Sequence, residues 1–179
     1  YLEEEVFFLV FVRWWGSRGS TYRGVSSKVF LAGIFLAADV LYRNIQKAAR
    51  HEILGTVVDD HYVGRSLLTD IADVTISQLA SRFDRGVVSV IMAVGYSDLN
   101  RTREDMMKRV KSHGFKIETY IHPDAKVYTQ HPLGEGCVVL PSVVIEPHVR
   151  VGANSMIWAN TTLAHRCSVA ENCWVALGA

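Results

Sequence analysis

The chain has 179 residues, 49% hydrophobic and 21% charged, with 19 basic side chains against 18 acidic ones and a formal charge of +1. That is enough apolar material for a buried core, and the near balance of charge provides no field suited to nucleic acid or an anionic membrane surface. Three cysteines, Cys137, Cys167 and Cys173, with no Cys-x-x-Cys pair, argue against a disulfide framework or a thiolate zinc site and point to a reducing compartment, the cytoplasm.

At the start of the chain, the apolar run over 6–12 is interrupted by Arg13 and falls well short of the ~20 residues a spanning helix needs. It follows Leu2-Glu3-Glu4-Glu5 where a secretory signal would carry basic residues. Residues 1–24, rich in Trp and closing on Gly16-Ser17-Arg18-Gly19-Ser20, fit no pattern and are assigned no function. The chain opens on Tyr1 without a methionine and closes inside a repeat, so a piece of a longer protein is expected.

Strand and helix patterns then alternate. Residues 27–32 are a buried strand ending at Gly33, and 37–50 carry the helical spacing Ala37, Leu41, Ile45, Ala48. A second strand over 53–58 is closed by Asp59-Asp60, and 71–83 reads as a short helical region. A third strand over 87–94 ends at Gly95, and a helix over 103–113 is stopped by Gly114. This order predicts a small parallel α/β domain over 25–120.

From Ile121 the texture changes. Ile121, Val127, Leu133, Val139, Ile145, Val151, Ile157, Leu163, Val169 and Val175 follow one another at six-residue steps without exception. Four residues after each comes a second series, small or moderate in size, that holds all three cysteines and in which His131 is the one poor fit. A parallel β-helix over 121–179 explains both: three short faces make a coil, the aliphatic residues stack inside and the second series fills the corners. The cysteines then have a packing role.

An α/β unit running straight into hexapeptide coils resembles the sugar acyltransferases of the sialic acid O-acetyltransferase family, which includes bacterial nucleotide-amino-sugar N-acetyltransferases. The resemblance covers about residues 28–179 and rests on the order and spacing of several stretches. They are Lys28-Val29-Phe30-Leu31-Ala32-Gly33, Val57-Val58-Asp59-Asp60, Ala93-Val94-Gly95-Tyr96-Ser97-Asp98-Leu99-Asn100, Ile121-His122-Pro123-Asp124-Ala125 and Leu163-Ala164-His165-Arg166-Cys167. It implies a Rossmann-like domain followed by a left-handed parallel β-helix, transfer of an acetyl group from acetyl-CoA to a sugar amine or hydroxyl, and a homotrimer with active sites between neighbours.

His165, two positions after the inward Leu163, falls on the outside or corner of a coil. Position alone allows a solvent-facing residue or a base. Imidazoles exchange protons near neutral pH, as acyl transfer to a sugar requires, and the resemblance implies the general base. Two departures stand out: Arg166 follows where many of the family carry Glu or Asp to orient the imidazole, and Trp174 stands where they often carry a second His near the thioester. The thioester is expected along the coils near Trp174, Gly178 and Ala179, with corner backbone N–H groups as oxyanion donors.

Gly33-Ile34-Phe35-Leu36-Ala37-Ala38 places Phe35 where a dinucleotide fingerprint needs its second glycine, which argues against a dinucleotide site. The resemblance implies a nucleotide sugar over the loops of Gly33, Asp59, Asp60, Gly95 and Asn100. Asp59 and Asp60 read equally well as a solvated turn, and Arg101 and Arg103 as surface charges or diphosphate contacts. No metal site is expected, since the other six histidines share no spacing. A non-catalytic nucleotide-sugar-binding or trimeric scaffold protein stays as an alternative, and a metal-dependent hydratase ranks lower.

Overall fold

The computed structural model describes residues 27–179, so the Trp-rich opening stretch lies outside the described residues. Strand β1 (Ser27–Ala32) is buried throughout from Val29, the mark of a strand covered on both faces. Helix α1 (Leu36–Ala48) lays Ala37, Ala38, Leu41, Tyr42 and Ile45 on one face. It stops at Ala49, whose left-handed φ of 51° lets its N–H reach the carbonyls of Ile45 and Gln46.

β2 (His51–Val58) and β3 (Ala72–Thr75) follow. α2 (Ile76–Arg82) starts on a capping box between Thr75 and Gln78. β4 (Val88–Met92), α3 (Arg101–Ser112) and β5 (Lys116–Glu118) complete the unit. All four strand pairings are parallel, in the order β3-β2-β1-β4-β5. The helical region expected over 71–83 is therefore half strand, and β5 extends the sheet beyond the strands read from the sequence. Both are short edge strands of 4 and 3 residues, too brief to print a pattern.

The coils begin two residues after β5. β6 (Tyr120–Ile121), β8 (Val138–Val139), β11 (Met156–Ile157) and β14 (Trp174–Val175) stack in parallel as a first face. Their Cα partners, Tyr120 with Val138, Val138 with Met156 and Met156 with Trp174, lie 18 residues apart, three hexapeptides to the coil. β7 (Lys126–Val127), β9 (Val144–Ile145) and β12 (Thr162–Leu163) form the second face, and β10 (Arg150–Val151) with β13 (Ser168–Val169) the third. Eight of the ten residues of the six-residue series point inward as expected: Val139, Ile145, Val151, Ile157 and Leu163 share one core with Cys137, Val143 and Val149, and Leu133, Val169 and Val175 pack against it. Ile121 and Val127 on the first coil, with no coil beneath them among the described residues, stay exposed.

A further six-residue series, invisible to hydrophobic pattern, sets the corners. Gly136, Ser142, His148, Asn154, Asn160, Arg166, Asn172 and Gly178 all have φ between 55° and 73°. Each follows an inward aliphatic by three residues, and glycine and asparagine, which tolerate the left-handed region best, fill most of these places. Coil-to-coil contact is tight at another corner position: a Cβ on Gly134 would come within 2.3 Å of the Ala153 nitrogen.

The two units share a core. One face of the sheet packs on α2 and α3. On the other, Val29, Leu31, Leu41 and Ala93 join Tyr120, Val138, Leu140 and Met156 from the outside of the first coil face. Arg103, fully buried on α3, pins this junction. It donates to the carbonyls of Met92 (2.9 Å) and Val94 (3.1 Å) at the end of β4 and to those of Gly136 (3.3 Å) and Asn154 (2.9 Å) at coil corners. Burial pulls its guanidinium down to about 10. Arg103 is thus neither a surface charge nor a diphosphate contact.

Candidate active site

In a parallel sheet whose strand order reverses, the chain leaves neighbouring strands in opposite directions and opens a crevice at their carboxyl ends. The reversal here lies between β1 and β4, and a cavity of about 610 Å³ sits there, within the usual range for a small-molecule site. The Gly33 loop after β1 and the Gly95 loop after β4 form its floor, and Trp158 and Trp174 of the first coil face close it. Gly33 has φ 137°, and a Cβ there would meet the Ala93 carbonyl oxygen at 2.6 Å. This glycine is needed for one loop to press on the other.

The lining is aromatic. Phe35 and Tyr62 meet edge to face at 5.7 Å, Trp158 and Trp174 lie tilted to each other at 5.0 Å, and Tyr96 lies 6.2 Å from Trp174. Such faces suit a flat ring or the apolar face of a sugar. Asp59 is the one acidic side chain of the lining, and Arg109 holds both its oxygens.

The expected substrate residues therefore divide. Gly33, Asp59 and Gly95 line this cavity. Asp60 lines a separate polar cavity of about 370 Å³ with His61, Ser77, Arg109 and His113, which Asp59 also borders. Asn100 is buried, and its amide donates to the Asn172 carbonyl at 2.8 Å, so it fastens α3 to the coils and does not line the cavity. Of the residues expected near the thioester, Trp174 lines the sheet-side cavity. Gly178 and Ala179 are exposed on the last coil.

His165 lies at the corner that follows β12 and leads to β13, between the second and third faces, with 73% of its side chain exposed. Its backbone N–H donates to Glu146 Oε2 at 2.6 Å, and its Nδ1 lies 3.1 Å from the same oxygen. These two contacts, the backbone one first, hold the Glu146 carboxyl below the usual carboxylate range. Sequence reading missed Glu146, although an 18-residue coil puts residue 147 directly beneath 165 and makes 146 the next place to look. Arg166 and Arg150 are exposed on this side of the prism.

Among the described residues, no three His, Cys, Asp or Glu side chains gather as a metal cage, and no helix is long and apolar enough to cross a membrane.

Residues 133–165 match the bacterial transferase hexapeptide (six repeats) family. No curated protein matches by sequence. The acetyltransferase domain of PglB from Neisseria gonorrhoeae, solved with acetyl coenzyme A, superposes with a TM-score of 0.71 at 20% identity over 84% of this chain and 70% of its own. A histidine-to-asparagine variant of perosamine N-acetyltransferase from Caulobacter crescentus, solved with CoA and GDP-perosamine, gives 0.63 at 22% identity over 84% and 77%. WeeI from Acinetobacter baumannii gives 0.67 at 12% identity over 83% and 69%. The chain carries the hexapeptide repeat of bacterial transferases, and its fold is that of these acetyltransferase structures.

Proposed function

We propose that the protein moves an acetyl group from acetyl-CoA to an amine or hydroxyl of a nucleotide-linked sugar, as a homotrimer in the cytoplasm, in the manner of the sialic acid O-acetyltransferase family. The observation that carries this reading is the cavity at the sheet's reversal point, closed by tryptophans of the hexapeptide prism. It joins an acceptor site to an acyl-transfer scaffold in one chain. The neighbours solved with acetyl coenzyme A, or with CoA and GDP-perosamine, support the same pairing of ligands.

The acceptor sits against Phe35, Tyr62, Tyr96 and Trp174, held by stacking and by the loops of Gly33 and Gly95. Acetyl-CoA supplies the acyl thioester. Its phosphates need cations, and Arg150 and Arg166 offer two beside the His165 corner. His165 takes the proton of the attacking nitrogen or oxygen as the new bond to the carbonyl carbon forms and the carbon–sulfur bond breaks, and CoA leaves as its thiol. Holding both reactants supplies much of the remaining rate.

Within one chain the cavity lies over the first face and His165 at the corner between the other two. In the proposed trimer the corner of one prism would face the cavity of its neighbour, which gives the assembly a chemical purpose. The test is thiol release from acetyl-CoA with a panel of nucleotide-linked and free amino sugars. Turnover in the wild type that falls about 10²- to 10⁴-fold in His165→Ala is expected. Acceptor binding without turnover in the wild type would favour the non-catalytic alternative, and unchanged turnover in His165→Ala would remove the base.

A further inference from the structure

We infer that Glu146, on the coil beneath His165, is the positioning residue that fixes this imidazole in the form with its proton on Nδ1 and its free electron pair on Nε2. The catalytic consequence rests on the proposed acetyl transfer; the ring state rests on geometry alone.

One oxygen, Glu146 Oε2, takes both contacts, the His165 backbone N–H at 2.6 Å and the ring Nδ1 at 3.1 Å. A backbone N–H is always a donor, so the first contact anchors the oxygen whatever the ring does. An ionised carboxylate can only accept, so Nδ1 must carry the hydrogen of the second. A neutral imidazole has one N–H. With that hydrogen on Nδ1, the electron pair is left on Nε2, available to an incoming amine or hydroxyl.

The platform beneath the ring is fixed from both sides. The Glu146 backbone N–H donates to the Leu163 carbonyl at 3.0 Å, and the Arg166 N–H to the Pro147 carbonyl at 3.2 Å. The Glu146 backbone therefore cannot drift from that of His165 without parting the two coils, and only a side-chain rotation can separate the pair. Among the described residues it forms no other ion pair. This arrangement answers the departure at Arg166: the acid stands one coil away instead of next in sequence.

The pair is too exposed to matter for stability, with 73% and 37% of the side chains accessible, and such pairs contribute little to folding. Its effect should appear in chemistry, which separates positioning from a structural role. The experiment uses the full chain with ¹⁵N-labelled histidine, comparing wild type, Glu146→Ala and Glu146→Gln by imidazole NMR and steady-state kinetics. The wild-type His165 signals should report the Nδ1–H tautomer. Glu146→Ala should shift them toward Nε2–H and lower kcat about 10- to 100-fold, by analogy with the loss of outer-shell partners that orient metal-bound histidines, with KM for acetyl-CoA and the melting temperature unchanged. Glu146→Gln, which keeps an acceptor oxygen, should fall between.

An unchanged tautomer in Glu146→Ala overturns the inference, as does wild-type kcat in that variant while His165→Ala is inactive. If His165→Ala keeps its turnover, His165 is not the base and the kinetic consequence falls; if the wild type shows no turnover, the acetyl-transfer reading fails; in both cases the NMR comparison still decides the role of Glu146.

Discussion

Replacing Arg103 with methionine keeps most of the side chain's apolar stem and removes its donors, leaving the carbonyls of Met92, Val94, Gly136 and Asn154 without this partner. At about 2 kcal/mol for each acceptor so deprived, the loss is roughly 8 kcal/mol. Against it stands the relieved burial of the guanidinium. Its depression from 12.5 to about 10 corresponds to about 3 kcal/mol. The lost bonds win, and the net destabilisation is about 5 kcal/mol, the size seen when one member of a buried charged pair is removed. At 2–4 °C per kcal/mol for a domain of this size, the melting temperature should drop by roughly 10–20 °C. Because the four carbonyls belong to both units, hydrogen exchange should speed up at coil corners 134–136 and 152–154 together with the end of β4. Arg103→Lys, whose ammonium lacks the planar fork, should recover only part of the loss. A melting temperature within about 3 °C of wild type in Arg103→Met would refute the reasoning.

Gly134→Ala should cost about 2 kcal/mol or more by thermal melting, because the new Cβ would lie 2.3 Å from the nitrogen of Ala153 on the next coil and backbone cannot yield as a side chain does. Glu118 accepts from His51, Ser89 and Ser27 and is held down to about 2, with the His51 bond as the largest cause. Its folded value lies below the unfolded one, so the stability it contributes is present above about pH 4.5 and is lost as pH falls from there toward 2. Acid melts should show a shallower loss over that window in Glu118→Gln, and an identical pH dependence would contradict the assignment. Trp174→Ala opens the cavity wall and removes a stacking face, so acceptor KM should rise about 5- to 150-fold, one to three kcal/mol by analogy with base stacking on aromatic side chains; equal effects on every acceptor tested, including free amino sugars, would argue against stacking on a nucleotide.

Much of the fold could be read directly. A strand buried on both faces prints a continuous apolar run, as β1 does from Val29 to Ala32, and an aliphatic side chain that must point inward once per hexapeptide leaves a six-residue period. The sheet edges did not show, since β3 and β5 are too short to carry alternation. Arg103 looked like a charge at the start of a helix because its partners are carbonyl oxygens, which every residue has and no sequence marks. The cavity was half visible: its glycines and Asp59 stood out, whereas Phe35, Tyr62, Tyr96 and Trp158 come from separate segments that only the sheet's reversal and the docked prism bring together. Glu146 was within reach once the coil length was known, because stacking turns a separation of about 18 residues into contact.

The most direct measurement of the proposed chemistry is subunit complementation. Two inactive variants, His165→Ala and a cavity-filling Gly95→Trp, would be purified separately, then denatured and refolded together, and thiol release from acetyl-CoA would be followed with an amino-sugar acceptor. If a base from one chain serves the cavity of its neighbour, the mixed oligomers regain a substantial fraction of wild-type turnover although each parent has none. A mixture as inactive as its parents, from refolded oligomers shown to contain both chains, would contradict a site shared between copies.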